Sequence, residues 1–482
     1  MTDRYFSETG LLLGPIIGGL SHRGALLWGR AAGPGKLYAW LGKHPSLSDA
    51  WLAATSLPLR EQDAFAGVAP VDALEPETVY HYFLSLDGAP PDPTHGPYPS
   101  FTTAPLPGKP QPFNFVFGSC FRPESEDGGG IFRTIEERRL IDRLRFILLI
   151  GDQIYADAYK NNGIGKVACD LDEYREVYRY TFSRPAFRNL LYNLPAFMTL
   201  DDHEVDDDWR WLDDARTLAY IPWWDRLQRL FSHRSLPERR IPRQRVQDAL
   251  QAYWEHQGMH APHFELPFNL TPAGQYDLAP SDPGSLSYTF TYGAAAFFVL
   301  DTRTMRIANR AQQTMLGEAQ WQALQTWLLA VRESFPVKFI VSSCSLLFDM
   351  WLDIPRDRWS GFPQERNRLL HFLAANGIEG VYLLTGDLHS AHAIRAELYG
   401  PQARALPVWE FCSTPFEQHP NWLSSRTYRP PHSAPIRGQE CFFKVNALNF
   451  GVVRVAYPQG EAPQVRFEVY GVDGRLLGEA GD

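Results

Sequence analysis

The stretch FILLIGDQIY (146–155) joins an apolar, β-compatible run to a glycine, an aspartate and a tyrosine. The apolar run has the length of a buried strand. Asp152 lies three residues before Tyr155, so a turn after the strand can direct both side chains at one ion. Open α/β sheets place their active sites at the carboxyl ends of their strands. The stretch therefore indicates an α/β sheet with candidate metal ligands at the end of one strand.

Five other apolar runs beyond residue 112 also end in polar or potentially reactive residues. They are FNFVFGSC (113–120), AFMTLDDHE (196–204), AAFFVLDTR (295–303), KFIVSSCS (338–345) and GVYLLTGDLH (380–389). Helical patterns lie between several of them, for example at 131–142 and 317–333. Buried strands that alternate with helices predict an α/β layered domain.

The N-terminal region has a different texture, because short apolar runs are separated by Gly, Pro and Ser clusters up to about residue 105. This spacing is typical of a β-sandwich. The segment LEPETVY (74–80) resembles the fibronectin type III corner, where a tyrosine hydroxyl ties a strand to the preceding turn. The proline-rich stretch 101–112 is typical of a linker. We predict an all-β, fibronectin- or immunoglobulin-like domain over 1–105 and an α/β domain over 106–482.

Composition narrows the class of protein. The chain has 482 residues, of which 44% are hydrophobic, and these suffice for one large core or two unequal cores. The net charge of −9 argues against nucleic acid or an anionic membrane as the main partner. No apolar run approaches the roughly 18 residues of a membrane-spanning helix. Five scattered cysteines and the absence of a recognisable signal peptide predict a reducing, cytoplasmic location, unless an export signal precedes this sequence.

The acidic run DDHEVDDD (201–208) has two interpretations. It could be a solvated acidic face, or a cluster of hard-metal ligands in which bound cations remove the repulsion between the carboxylates. Each of the other strand ends also has an ordinary structural explanation when it is taken alone. Cys120 could be a small buried hydrophobe, and Asp152 could cap a helix. Their recurrence at the same end of successive strands favours a functional site.

The order of the motifs resembles the calcineurin-like metallophosphoesterase superfamily, and within it the alkaline phosphatase D (PhoD-like) family. The motifs are G-S-C (118–120), G-D-x-x-Y (151–155), D-D-H-E-V (201–205), D-T-R (301–303) and G-D-x-H (386–389). Each motif alone is weak, whereas the ordered set of five is specific. The resemblance covers nearly the whole chain and implies a two-sheet α/β metallophosphoesterase sandwich behind the N-terminal β domain.

The resemblance also implies the ligands of two metal sites. Cys120, Asp152, Tyr155 and His389 would surround an iron(III). Asp152 would bridge to a calcium ion, for which Asp202 and Asp387 would be further ligands.

Three positions depart from the wider superfamily. Cys120 stands where a carboxylate usually opens the set, and Asp202 and Asp387 replace neutral donors. Carboxylates at the last two positions favour calcium over zinc. A further histidine that the superfamily carries near VSSCS (341–345) is absent.

The implied activity is metal-dependent hydrolysis of phosphate esters by a hydroxide that two metal ions activate, with a small phosphate ester as substrate. His203 is the predicted catalytic histidine beside the phosphate, and Asp202 takes part as a ligand. Arg303 is a candidate phosphate clamp, and its alternative is a surface salt bridge. One alternative function is a phosphodiesterase for nucleotide- or lipid-derived diesters, which the Trp- and Arg-rich segment 205–285 would suit. The other is a catalytically silent metal-binding scaffold.

Overall fold

The computed structural model describes residues 9–86, 88–124, 128–213, 216–218, 240–266, 285–307, 313–351, 357–399, 405–433 and 435–482. Within these ranges, no helix has the length and apolar character needed to cross a membrane. Part of the segment 205–285 lies outside them. The described part of that segment contains a helix at Arg243–His256.

The N-terminal strands form two small antiparallel sheets, as expected for an all-β region. The first has the order β1-β2-β5 and contains β1 (Leu11–Gly18), β2 (Ala25–Ala31) and β5 (Ala66–Val71). The second has the order β4-β3-β6-β7 and contains β3 (Tyr38–Gly42), β4 (Trp51–Thr55), β6 (Val79–Ser85) and β7 (Ser100–Thr102). The hydroxyl of Tyr80 accepts a hydrogen bond from the N–H of Glu75 at 3.1 Å, which confirms the tyrosine corner. The domain boundary at residue 105 stays a prediction.

Two larger sheets follow. The six-stranded sheet has the order β10-β9-β8-β24-β25-β26 and contains β8 (Phe113–Gly118), β9 (Leu144–Ile150), β10 (Ala196–Thr199), β24 (Asn449–Ala456), β25 (Gln464–Gly471) and β26 (Leu476–Gly481). The eight-stranded sheet has the order β14-β15-β16-β17-β19-β21-β20-β23 and contains β14 (Phe264–Leu266), β15 (Ser285–Tyr292), β16 (Ala295–Val299), β17 (Val337–Cys344), β19 (Val381–Gly386), β20 (Ala391–Tyr399), β21 (Ala405–Cys412) and β23 (Ile436–Val445).

Two minor sheets also occur, one with β11 (Arg210–Asp213), β12 (Arg216–Leu218) and β13 (Arg240–Ile241), the other with β18 (Asp349–Met350) and β22 (Tyr428–Arg429).

The two large sheets pack face to face through aromatic side chains. Phe115 stacks on Phe146 within the six-stranded sheet at 4.9 Å between ring centroids. It also meets Phe339 of the eight-stranded sheet edge-on at 5.4 Å. Such pairs contribute about 0.5–1.5 kcal/mol each beyond the area that they bury. The predicted two-sheet sandwich is confirmed.

The outer faces of this sandwich are covered by some of the seven α-helices in the described residues. The seven helices are α1 (Gly130–Ile141), α2 (Leu171–Phe182), α3 (Pro185–Asn193), α4 (Arg243–His256), α5 (Gly317–Val331), α6 (Pro363–Ala375) and α7 (Trp422–Thr427). Phe132 of α1 and Leu190 of α3 belong to the same buried cluster as Ile147 of β9. Trp321 of α5 and Leu369 of α6 are buried on the eight-stranded sheet. The architecture is therefore four layers, α/β/β/α.

Parallel pairing places the predicted motifs together. β8, β9 and β10 are neighbouring parallel strands, and so are β16, β17, β19 and β21. Because parallel strands have their carboxyl ends at one edge of a sheet, the motifs after β8, β9 and β10 converge. The motifs after β16 and β19 converge in the same way at the second sheet. The edge formed by both sets of strand ends is the candidate site.

Candidate metal centre

The structure brings four predicted ligands into one group. Ligand atoms of Cys120, Asp152 and His389 all lie within 4.8 Å of one another. The Cys120 thiol donates to Asp152 Oδ2 at 3.4 Å, and the Tyr155 hydroxyl donates to the same oxygen at 3.5 Å. Tyr155 Oη is also 3.3 Å from His389 Nε2. A thiol, a carboxyl, a phenol and an imidazole thus lie together, and their role as ligands of one ion stays a prediction.

Two further groups of potential ligands continue from the first. Asp152, Asp202 and His203 form the second, and Asp202, Asp207 and Asp208 form the third, each with ligand atoms within 4.8 Å of one another. Asp152 therefore belongs to the first and second groups, which is the position that a bridging carboxylate requires. Asp207 and Asp208 come from the acidic run, so the run does not face solvent as a whole.

Asp387 is the predicted ligand that belongs to none of these three groups. Its Oδ2 accepts a hydrogen bond from Arg358 Nε at 3.0 Å, and its N–H donates to Ser119 Oγ at 3.2 Å. Burial raises the pKa of Asp387 to about 7, although the positive charge of Arg358 opposes that rise. Arg358 engages one oxygen of this carboxylate, so a metal would bind through the other without loss of that contact. The ligand role of Asp387 stays a prediction.

The backbone at the ligand positions is unusual. Cys120, Asp152, Asp387 and His389 have φ values of 64°, 57°, 65° and 51°, in the left-handed region. Residues other than glycine rarely adopt this conformation, and the strain is concentrated at functional sites. Gly151 has φ 103°, and a Cβ there would lie 2.5 Å from the Cβ of Asp201. These tight turns direct the side chains toward the candidate site directly after each strand ends.

His203 is held by an acidic residue that sequence analysis missed. Its Nδ1 lies 2.9 Å from both carboxylate oxygens of Asp157. Its ring packs on the Tyr155 ring with 4.1 Å between centroids, and its backbone N–H donates to Asp152 Oδ1 at 3.3 Å. Because Asp157 engages Nδ1, Nε2 is the ring nitrogen left for a ligand. The signal available in the sequence was a second aspartate in the loop GDQIYAD, 151–157.

The electrostatics of His203 follow from this contact. Burial lowers the pKa of His203, but the carboxylates of Asp157, Asp152 and Asp202 raise it, and the net pKa is well above the ordinary value. For Asp157, burial raises the pKa and the charge of His203 lowers it, with a net decrease. The two side chains therefore form a charged pair, and this pair fixes the orientation of the imidazole.

Glu204, the last residue of D-D-H-E, acts on the backbone. Its side chain is fully buried and accepts hydrogen bonds from the N–H groups of Asp152, Gln153 and Asp201 at 3.1, 2.8 and 2.8 Å. It thus satisfies backbone donors from the loops that follow β9 and β10. These contacts join the two loops that carry Asp152 and His203.

Arg303 occupies a buried ion-pair network. Its Nε donates to Asp201, and its Nη1 and Nη2 donate to Asp357 at 2.6 and 3.2 Å. Its Nη2 is also 3.4 Å from Asp202 Oδ1. The alternative of a surface salt bridge is wrong, because the side chain is 0% exposed. Because carboxylates surround the guanidinium, the geometry favours a structural role in which Arg303 neutralises and positions the acidic run. The predicted role as a phosphate clamp stays untested.

Two other arginines lie near the first ligand group, where their charges lower the pKa of His389, and sequence analysis missed both. Arg358 contacts Asp387, as described above. The guanidinium carbon of Arg122 is 5.7 Å from the centroid of the Tyr155 ring, and its Nη2 donates to Gln418 at 3.0 Å. Among the described residues, no hydrogen-bond partner lies at the buried Nε of Arg122. Arg122 follows G-S-C by two residues, and this proximity to Cys120 was the available signal.

The donor groups fit a cation. Burial, reinforced by nearby negative groups, raises the pKa values of Cys120, Asp152 and Tyr155 well above their ordinary values. Burial also lowers the pKa of His389 to about 3, which favours the neutral imidazole that binds metals. The raised pKa values keep the thiol and the phenol protonated when no cation is present. A bound cation lowers these pKa values, because it stabilises the deprotonated forms. The arrangement is that of a binding site for positive charge.

Comparisons with known proteins agree with this arrangement. The sequence model of the PhoD-like phosphatases matches residues 115–462. Alkaline phosphatase D of Bacillus subtilis (strain 168) is 25% identical over 358 residues, which cover 67% of this chain and 53% of that protein. The chain therefore matches about half the length of this relative.

Two solved structures share the fold. The structure of PhoD has a TM-score of 0.63 at 19% identity and covers 98% of this chain and 93% of that chain. The purple acid phosphatase PPD1 from yellow lupin (Lupinus luteus) seeds has a TM-score of 0.56 at 12% identity, with 97% and 73% covered. Because the family match extends over most of the chain and includes all the ligand motifs, this protein belongs to the PhoD-like phosphatase family.

Proposed function

We propose that this protein is a metal-dependent hydrolase of small phosphate esters. The observation that carries the proposal is the position of Asp152, which is shared between two adjacent groups of ligands and lies beside an oriented His203. This arrangement suits two cations at one phosphoryl group. Membership of the PhoD-like phosphatases supports the same chemistry.

The first and the third ligand groups suit different ions. Cys120, Asp152, Tyr155 and His389 combine thiolate, carboxylate, phenolate and imidazole, which together suit iron(III). Asp202, Asp207 and Asp208 offer only carboxylates, and Asp387 would add another. Hard oxygen ligands of this kind suit calcium. We assign iron(III) to the first group and calcium to the carboxylates of Asp202, Asp207 and Asp208, with Asp152 between the two ions and His203 left for the phosphate.

The protein's own side chains have distinct roles in this proposal. The bound ions would neutralise phosphoryl oxygens and acidify a water molecule. His203, held at Nδ1 by Asp157, would use Nε2 to hydrogen-bond a phosphate oxygen or to protonate the leaving alkoxide. Arg122 and Arg358 place positive charge beside the first group, where the phosphate negative charge would accumulate. Glu204 and Arg303 keep the loops and the acidic run in place.

The iron assignment predicts a coloured protein. Thiolate and phenolate ligands on iron(III) produce charge-transfer absorption in the visible range, so Cys120→Ser is expected to shift or bleach the band. Cys169→Ser is the matched control, because Cys169 is exposed and should leave the spectrum unchanged. The measurement is a visible spectrum with elemental analysis of both variants. A colourless wild-type protein that contains only zinc would contradict the iron assignment.

The calcium assignment predicts loss of activity on chelation. We expect hydrolysis of simple aryl phosphate mono- or diesters at neutral to alkaline pH, its loss with a calcium-selective chelator, and its recovery with added calcium. Magnesium should restore less, because it demands a stricter octahedral geometry. Turnover that persists after the metals are shown to be gone would end the metallohydrolase proposal. Bound metal without turnover of any phosphate ester would instead favour the scaffold alternative.

A further inference from the structure

Two tryptophans near the candidate metal centre are largely exposed to solvent. Trp351 is 74% exposed and Trp422 is 58% exposed. Exposed hydrophobic side chains that occur singly need no explanation, but a pair at a polar site can mark a surface for a ligand. Both residues are connected to the metal centre through backbone and side-chain contacts.

Trp422 is anchored through the residue that precedes it. The N–H of Asn421 donates to the carbonyl oxygen of His389 at 2.8 Å. The side chain of Asn421 also caps α7, because its Oδ1 accepts hydrogen bonds from two N–H groups of the first turn. Trp422 is the first residue of α7. Its backbone is thus fixed one residue away from a direct contact with a predicted metal ligand.

Trp351 is anchored on the side of Asp387. Its N–H donates to the carbonyl oxygen of Thr427 at 2.9 Å. The preceding residue, Met350, has its sulfur 3.1 Å from Arg358 Nη1. Arg358 in turn donates through Nε to Asp387 at 3.0 Å. A continuous chain of contacts therefore leads from Trp351 to the metal centre.

The backbones of the two tryptophans lie at opposite ends of α7. α7 extends from Trp422 to Thr427, and a rise of about 1.5 Å per residue separates its ends by less than about 10 Å. The guanidinium carbon of Arg426 lies 5.3 Å from the centroid of the Trp422 ring. We call Trp351 and Trp422 the aromatic rim. It combines two indole surfaces with nearby arginines, whereas an alkyl chain would require a surface that is apolar throughout.

We propose that the aromatic rim binds a flat aromatic group of the ester, so that the preferred substrates are nucleotide-like phosphate esters. This inference rests on the proposed function. Indole rings stack on nucleobases, and arginine guanidinium groups stack on and hydrogen-bond to the same rings. The phosphate would lie at the metal centre and the base at the rim.

Adenosine 5′-phosphate and ribose 5-phosphate test this proposal, because they share the scissile bond and differ by the base. The wild-type ratio of their kcat/KM values is expected to be about tenfold or more, given the usual contribution of base stacking. Trp351→Ala and Trp422→Ala should each lower this ratio, and the double variant should bring it near one. Trp422→Phe should keep most of it. Trp51→Ala is the control, because Trp51 is 40% exposed on a strand of the N-terminal region. If the protein hydrolyses only diesters, the methyl diesters of both compounds replace them as the substrate pair.

The outcomes separate this inference from the proposed function. Turnover of both esters with a wild-type ratio near one would overturn the aromatic rim and leave the hydrolase standing. A high ratio that survives the double variant would do the same. No turnover of any mono- or diester would overturn both.

Discussion

Replacement of His203 by alanine should lower the rate of ester hydrolysis on the order of 10²–10⁴-fold, the usual contribution of a positioned acid or base. The metal content should change little, because Nε2 is the nitrogen left for the substrate. The free energy of unfolding should fall without loss of the fold, because Asp157 loses its ion-pair partner. The rate loss should be larger for an alkyl phosphate than for a nitrophenyl phosphate, whose leaving group needs little protonation. Single-turnover rates on both esters, with elemental analysis, measure the effect.

Two further variants sharpen this test. Asp157→Asn keeps the imidazole but removes the charge that orients it, so we expect a smaller loss, on the order of 10–100-fold. His371→Ala replaces an exposed histidine of α6 and should have no effect. Equal losses on the two leaving groups would assign phosphate binding to His203, in place of protonation. An unfolded or metal-free His203→Ala protein would make the histidine structural and contradict its assigned role.

Replacement of Asp152 by asparagine should remove both metals and reduce activity to the background rate. The substitution preserves shape, and asparagine tolerates the left-handed backbone at this position, so the fold should survive. What is lost is the anionic oxygen that two groups of ligands share. Elemental analysis and circular dichroism of the purified variant measure the two properties separately.

Asp170→Asn is the matched control for Asp152→Asn. Asp170 caps α2 by accepting a hydrogen bond from the N–H of Glu173, and asparagine is an equally good cap. This variant should keep its metals and its activity. If Asp152→Asn retained iron and lost only calcium, Asp152 would be a ligand of the second ion alone, and the bridging role would be wrong.

The sequence predicted the layers of the fold and the edge where the site lies. Apolar runs such as that before Asp152 have the length of a buried strand and end in polar residues, and parallel strands necessarily bring their carboxyl ends together. Cys120, Tyr155 and His389 each follow such a run closely, so their convergence could be foreseen. The local sequence pattern therefore sufficed to predict the location of residues that directly follow a strand.

Contacts between distant segments could not be foreseen in this way. Arg303 pairs with Asp357, 54 residues away, and Arg358 pairs with Asp387, 29 residues away. Neither Asp357 nor Arg358 follows an apolar run in the sequence, so no such signal marks them. An arginine after a strand suits a phosphate clamp and a buried ion pair equally well at the level of sequence. Only the three-dimensional arrangement shows which carboxylates surround it.

The left-handed backbone at Cys120, Asp152, Asp387 and His389 has a consequence for the evolution and engineering of this protein. Glycine would relax each of these turns, at a gain on the order of 1 kcal/mol per position. Each such exchange would also erase a donor atom. Selection for heat tolerance in medium without metals should therefore favour these exchanges and yield a robust protein without function. Selection in the presence of the metals would act against the same exchanges.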